Sequence, residues 1–322
     1  MGYIVTLADG SFIVVDGGGN GTSEDERNCN HDHLYEVLTA LNKRGDGIRI
    51  KAWILTHEHW DHYDNFYDFV MKYKEEVTVD TMYYASPSYA EWSKCDAPGY
   101  FMTTSAGETA GSLFENMSNA VGGIKKVHVK SGDVFNILNC KLEVLYTWEN
   151  LNDFEELGLT LADYDGGDPK HKSNNSSMVF RLYMEDSTFL CTSDIQQAAE
   201  AYLIANYGDE LKSDVMSMVH HGHPGATSAL FDKAQPSILL WSLKKDSAIW
   251  HSNSSSNFVD EEWRTEKTWE RNHYLTYEAT YIEHIYYAGE PDNSGNDDYD
   301  SNYTLTFEKG TISVTKTENP NR

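Results

Sequence analysis

Residues 53–66, "WILTHEHWDHYDNF", bring His57, His59, Asp61 and His62 into six positions directly behind an apolar run. Four ionisable side chains so close together are poor core material, because burying a polar group without a partner costs free energy. They are good metal ligands. Neutral imidazole binds zinc strongly, and a short loop presents His57 and His59 from one side. Asp61 and His62 then project toward a neighbouring position. The spacing predicts one ion on His57 and His59 and a second on Asp61 and His62. In a compact loop the two ions are close enough to share a bridging hydroxide, formed near neutral pH.

Working outward, "IKAWIL" reads as a strand that delivers this cluster at its C-terminal end, and "NFYDFVMKYK" as the helix that follows. Further polar residues sit at other strand ends. Asp16 closes "FIVVD". Asp194 closes "FLCTSD", where its carboxylate can bridge two metals or cap the helix "IQQAAEAYL". His220 and His221 follow the strand in "VMSMVHHGHPG" as further ligand candidates. Residues converging from several strand ends make one site on one rim of a sheet.

The rest of the chain alternates strands and helices. Residues 3–7 and 11–15 read as a hairpin with its turn at "ADG". "HDHLYEVLTALNKRG" (31–45) has helical spacing and a glycine stop. "VTVDTMYYA" (77–85) is a strand, "GETAGSLFENMSNAV" (107–121) a helix, and "KKVHVKSGDVFNILNCKLEVLYT" (125–147) a set of strands. A long polar loop covers 149–176. "SMVFRLYMEDSTFLCTSD" is a hairpin, "PSILLWSL" a strand, and helices continue to about residue 275. "IEHIYYAG" is a late strand. After the polar stretch "GEPDNSGNDDYDSN", "YTLTFEKG" and "GTISVTKT" form a last pair of strands.

The 322 residues are 40% hydrophobic, enough to bury a sizeable core. The formal net charge of −26 repels phosphate backbones, so neither duplex nucleic acid nor an anionic membrane surface is expected as a partner. No run approaches a membrane span. The sequence gives no sign of a protein partner and no internal repeat. Cys29, Cys95, Cys140 and Cys191 are widely spaced with no CxxC, and read as thiols; two disulfides are the alternative. The chain opens inside a hairpin, so an N-terminal segment is expected to have been trimmed, and the compartment stays open between cytoplasmic and secreted.

"FIVVDGG", "LTHEHWDH", "FLCTSD" and "VHHGHPGATS" resemble, in order and rough spacing, the metallo-β-lactamase superfamily. With "NNSSMVFRL", they resemble its branch of competence-type DNA-uptake domains and phosphorylcholine esterase. The resemblance spans roughly residues 3–255. It implies an α/β fold, an αββα sandwich of two mixed sheets flanked by helices, as a lactamase-like domain over 1–290. An acidic loop and C-terminal hairpin over 291–322 would pack on that domain. It implies a dinuclear site of two divalent ions, zinc first, with manganese or iron as alternatives. His57, His59, Asp61 and His62 would be ligands, Asp194 the bridge and His221 the last ligand. His220 would face substrate, and Asp16 would order the ligand loop from behind. The superfamily usually supplies one more histidine before the bridging aspartate. His171 in "DPKHKSNNSS" is the candidate, with His128, Asn174 or Asn175 as alternatives.

The implied chemistry is metal-assisted hydrolysis of a small-molecule substrate, with Asp61 or a metal-bound water handling the proton. The branch resemblance points to phosphodiesters, with His220 and His251 on the substrate side. The alternatives are a lactamase, lactonase or thioesterase, and a binding domain without turnover. Trp148, Tyr164, Tyr83, Tyr84, Trp92, Tyr100 and Trp241 are candidate pocket walls, suited to a quaternary ammonium group.

Overall fold

In this computed structural model, residues 2–19, 24–88, 91, 94–95, 123–164, 169–223, 225–244, 281–289, 302–308 and 311–317 are described; the side chains of residues 24–30, 162, 171, 244, 302 and 317 lie outside that set. The expected helices at 107–121 and through about 275 fall outside it too. The chain forms two compact units, Met1–Asn150 with Gly167–Met178, and Leu151–Gly166 with Val179–Arg322.

In the first unit, β1 (Gly2–Thr6) and β2 (Phe12–Asp16) form the expected antiparallel hairpin. Helix α1 (Glu24–Leu41) starts earlier than the sequence pattern indicates. Strand β3 (Ile48–Leu55) lies parallel to β2, with Val15 opposite Ile54, so Asp16 and the residues after Leu55 emerge at the same sheet edge. Helix α2 spans Trp60–Tyr73. The expected strand over 77–85 is two: β4 (Val77–Val79) pairs with the first half of β3, and β5 (Thr81–Tyr84) with the second. Asp80 makes the break, where its amide donates to the Ile50 carbonyl at 2.8 Å and its carboxylate meets Arg49 and Lys51. β6 (Lys125–His128) continues the sheet in the order β1-β2-β3-β5-β6. β7 (Val134–Ile137) and β8 (Cys140–Tyr146) form a second hairpin.

Helix α2 packs one face on this sheet. Tyr63, Phe66, Phe69 and Val70 recur at helical spacing and are buried. Trp53 from β3 meets Phe66 and Phe69 edge-on, with ring centroids 4.9 and 5.4 Å apart. This packing fixes the first turn of α2 against the end of β3. The expected polar loop over 149–176 contains short 3-10 turns instead, and Ser173–Ser176 is wholly buried.

In the second unit, β9 (Val179–Met184) and β10 (Ser187–Cys191) form the expected hairpin. After α3 (Gln197–Tyr207), β11 (Val215–Ser217) runs parallel to β10. After α4 (Ser228–Ala234) come β12 (Ile238–Lys244) and β13 (His284–Gly289), both parallel additions, giving the order β13-β12-β11-β10-β9. The buried Glu200 carboxylate on α3 accepts from the amides of Thr227 and Leu230, which ties the start of α4 to α3. β14 (Asn302–Glu308) and β15 (Thr311–Thr317) form the expected antiparallel pair.

Cys95, Cys140 and Cys191 are buried thiols. Burial pushes the Cys140 thiol up to about 11, which keeps it protonated and inert. Among the described residues no helix is long and apolar enough to cross a membrane.

Candidate metal centre

The first unit presents four ligand candidates from the junction of β3 and α2. The sequence pattern reads them as one compact loop. Only His57 and His59 are on a loop, because α2 begins at Trp60 with His59 as its N-cap. Asp61 and His62 therefore ride on the first helical turn, a stiffer mount than a loop. The His57 ring lies 4.6 Å from His59 and 4.1 Å from His62, centroid to centroid. His57 and His59 offer ligand atoms within 4.8 Å of one another, and so do Asp61 and His62. His57 and His62 are buried, while Asp61 keeps a third of its side chain exposed.

Asp16 organises this group from behind. Its buried carboxylate accepts from the Thr56 amide at 2.8 Å, from Thr56 Oγ1 at 2.8 Å, and from His62 Nδ1 at 2.8 Å. Three donors offset the cost of burying that charge. With Nδ1 donating to Asp16, His62 presents Nε2, which lies 3.7 Å from Asp61 Oδ2. A carboxylate behind a histidine is the arrangement that fixes tautomer and ring angle in metal sites. The glycines after Asp16 allow the close approach: a Cβ on Gly19 would stand 2.6 Å from the Trp60 ring and 2.8 Å from Asp61 Cα.

One residue here has no signal in the sequence. Ser173 Oγ lies 2.9 Å from His59 Nε2. It belongs to the segment in which His171, Asn174 or Asn175 is the expected extra ligand. His171 lies on a short 3-10 turn, with its side chain outside the described set. Asn175 serves local structure: its amide donates to the Pro169 carbonyl and its own carbonyl accepts from Tyr146 OH. His128 ends β6, edge-on to Tyr84 with ring centroids 5.2 Å apart and Nε2 3.4 Å from the Ser86 carbonyl.

The second unit presents Asp194, His220 and His221. Asp194 is buried after β10. Helix α3 starts at Gln197 with Gln196 as its N-cap, two positions beyond Asp194, so the expected capping alternative does not describe this helix. His221 Nε2 lies 3.4 Å from Asp194 Oδ2, and His220 Nε2 lies 3.9 Å from it. The His220 amide donates to the Ser193 carbonyl at 3.0 Å, joining the two strand-end turns. His220 and His221 both take left-handed backbone, at φ 46° and 53°. Such conformations cost of order 1–3 kcal/mol each away from glycine and persist where the surroundings impose them.

Trp241, expected as a pocket wall, is only 1% exposed and donates Nε1–H to the His221 carbonyl at 2.7 Å. It props a candidate ligand and presents no face to a substrate. Tyr83 and Tyr84 are buried as well. Trp92, Tyr100 and His251 lie outside the described residues.

Each unit thus carries imidazole and carboxylate groups, with His62, His59 and His221 each hydrogen-bonded at one ring nitrogen, a donor set that fits divalent zinc, manganese or iron. Residues 2–236 match the model of the metallo-beta-lactamase superfamily. The chain belongs to the metallo-β-lactamase superfamily. Its mixed sheets and helices are consistent with that superfamily's fold. Among solved structures, this superfamily member is similar to the metallo-beta-lactamase fold protein YhfI from Bacillus subtilis, at 12% identity and TM-score 0.38 over 74% of this chain and 76% of that one. It is also similar to Zn(2+)-bound PqqB from Methylobacterium extorquens, at 11% identity and TM-score 0.35 over 67% and 58%. A third is a Cronobacter sakazakii metallo-beta-lactamase HARLDQ-motif mutant, at 12% identity and TM-score 0.33 over 67% and 71%. No curated protein matches the chain.

Proposed function

We propose that this superfamily member is a metal-dependent phosphodiesterase acting on a small phosphodiester, nearest in type to the competence-type and phosphorylcholine esterase branch. The observation that carries the metal reading is the Asp16–His62 pair, a buried carboxylate that orients a buried histidine beside Asp61. A chain with no use for His62 Nε2 gains little from that arrangement.

In this reading His57, His59 and His171 would hold one ion, Asp61, His62 and His221 would hold the other, and Asp194 would serve both. When bound, the two divalent cations supply a water of lowered pKa and a Lewis acid for the substrate oxygen. Asp61, with a third of its side chain exposed, takes the proton. In this reading His220 donates to a phosphoryl oxygen, and His251, which lies outside the described residues, would act on the substrate with it. The charge of −26 supports a small or zwitterionic diester over a nucleic acid.

The test is hydrolysis of bis(p-nitrophenyl) phosphate by protein loaded with zinc or manganese. The expected result is turnover that chelation abolishes and that Asp61→Ala lowers by about 10²-fold or more. Protein that holds two ions per chain yet shows no turnover overturns the phosphodiester reading. Lactone, lactam and thioester substrates then become the next assay.

A further inference from the structure

The turn carrying His220 and His221 is braced by two adjacent residues of β12. Trp241 donates its indole N–H to the His221 carbonyl at 2.7 Å. Ser242 Oγ lies 2.8 Å from His221 Nδ1. Neighbours in a regular strand point to opposite faces, so both could not grip one residue. The pairing of β12 with β13 explains how they do. Its register shifts between Trp241 and Lys244, where three steps along β12 match two along β13, from Tyr287 to Gly289. A bulge of this kind re-aims a side chain.

The grip falls on strained backbone. His220, His221 and Gly222 are left-handed in succession, at φ 46°, 53° and 86°. Gly222 lies so close under Trp241 that a Cβ there would be 2.4 Å from Cζ2. The His223 amide closes the turn on the His220 carbonyl at 2.7 Å. For His221 Nε2 to offer a lone pair beside Asp194, Nδ1 must carry the proton, and Ser242 Oγ is the atom that accepts it.

We propose that Ser242 is a positioning residue for the metal centre: the β12 bulge turns its hydroxyl onto His221 Nδ1, where accepting from Nδ1–H holds the ring and keeps Nε2 available as a ligand. Trp241 fixes the backbone of the same residue. This rests on the metal reading given above, and it adds a residue that touches neither metal nor substrate.

The experiment compares wild type, Ser242→Ala and Ser242→Thr. Zinc binding is read by competition with a chromophoric chelator, and His221 ring nitrogens are read by NMR in the metal-free chain. The expected result is one zinc equivalent weakened about 10–100-fold in Ser242→Ala, the other unchanged, and recovery in Ser242→Thr, which keeps the hydroxyl. The NMR spectrum is expected to report Nδ1–H in wild type and Ser242→Thr and a tautomer mixture in Ser242→Ala. Wild-type zinc affinity and an unchanged tautomer in Ser242→Ala overturn the assignment while leaving the metal reading intact. A wild-type chain that binds no zinc overturns the metal reading and this one with it. Because Ser242→Thr keeps the hydroxyl, loss of zinc binding in it to the same degree as in Ser242→Ala also overturns the assignment.

Discussion

At the scale of single residues, the proposed site depends on groups that hold the candidate ligands as much as on those ligands themselves. Asp16 is the clearest. Replacing it with Asn keeps an acceptor for the Thr56 amide but turns an NH₂ toward His62 Nδ1, where a second donor already points. The expected outcome is a switch of His62 to the other tautomer, with its proton on Nε2. Metal affinity in a competition titration should fall about 10–100-fold. Stability in urea should fall by about 1–3 kcal/mol, from the mismatched buried donors. A folded Asp16→Asn protein with unchanged metal affinity would remove Asp16 from this role. Asp16 was legible in the sequence because it ends an apolar strand. Ser173 was not: it meets His59 across 114 residues, and a serine in a polar stretch has no pattern of its own.

At the scale of elements, the strands and the C-terminal pair follow from alternation and turn residues, and the structure keeps them. Two departures come from packing. Helix α2 starts at Trp60 because its buried face continues back to the loop, which places Asp61 and His62 on a helix. The strand over 77–85 breaks at Asp80 because β3 is long enough to pair with two short partners. The His-His-Gly turn carries three consecutive residues at positive φ, and Gly222 is the one that packs directly under Trp241. Gly222→Ala adds a Cβ at 2.4 Å from buried Trp241 and places it on left-handed backbone. The expected loss is about 2–4 kcal/mol in chemical denaturation. A loss of a few tenths of a kcal/mol would mean that Trp241 moves aside at little cost.

At the scale of the whole molecule, metal and folding should be linked. An ion that binds only the native chain stabilises it, by about 2.7 kcal/mol at 100 times its Kd. For a chain of 322 residues that is roughly 4 °C in Tm. Zinc loading should raise Tm by that amount, and a chelator should reverse it. A Tm indifferent to zinc and chelator would show that no tightly held ion belongs to the native chain. The net charge acts at the same scale: at −26 the chain offers no general cationic field, so capture of the proposed phosphodiester would depend on local ligand geometry.

The candidate ligands were legible in the sequence because the signal is local: His57, His59, Asp61 and His62 lie within six residues, Asp16 closes an apolar strand, and Asp194 and His220 each follow shortly after one. Those signals need only side-chain type and spacing. What the sequence could not hold is the support behind the ligands. Ser173 behind His59, Trp241 and Ser242 behind His221, and the left-handed His220–His221 turn each arise from contacts between distant segments. A hydroxyl or an indole suits many places in a chain, and left-handed backbone is disfavoured for histidine. Only tertiary packing selects these hydrogen bonds and imposes that conformation.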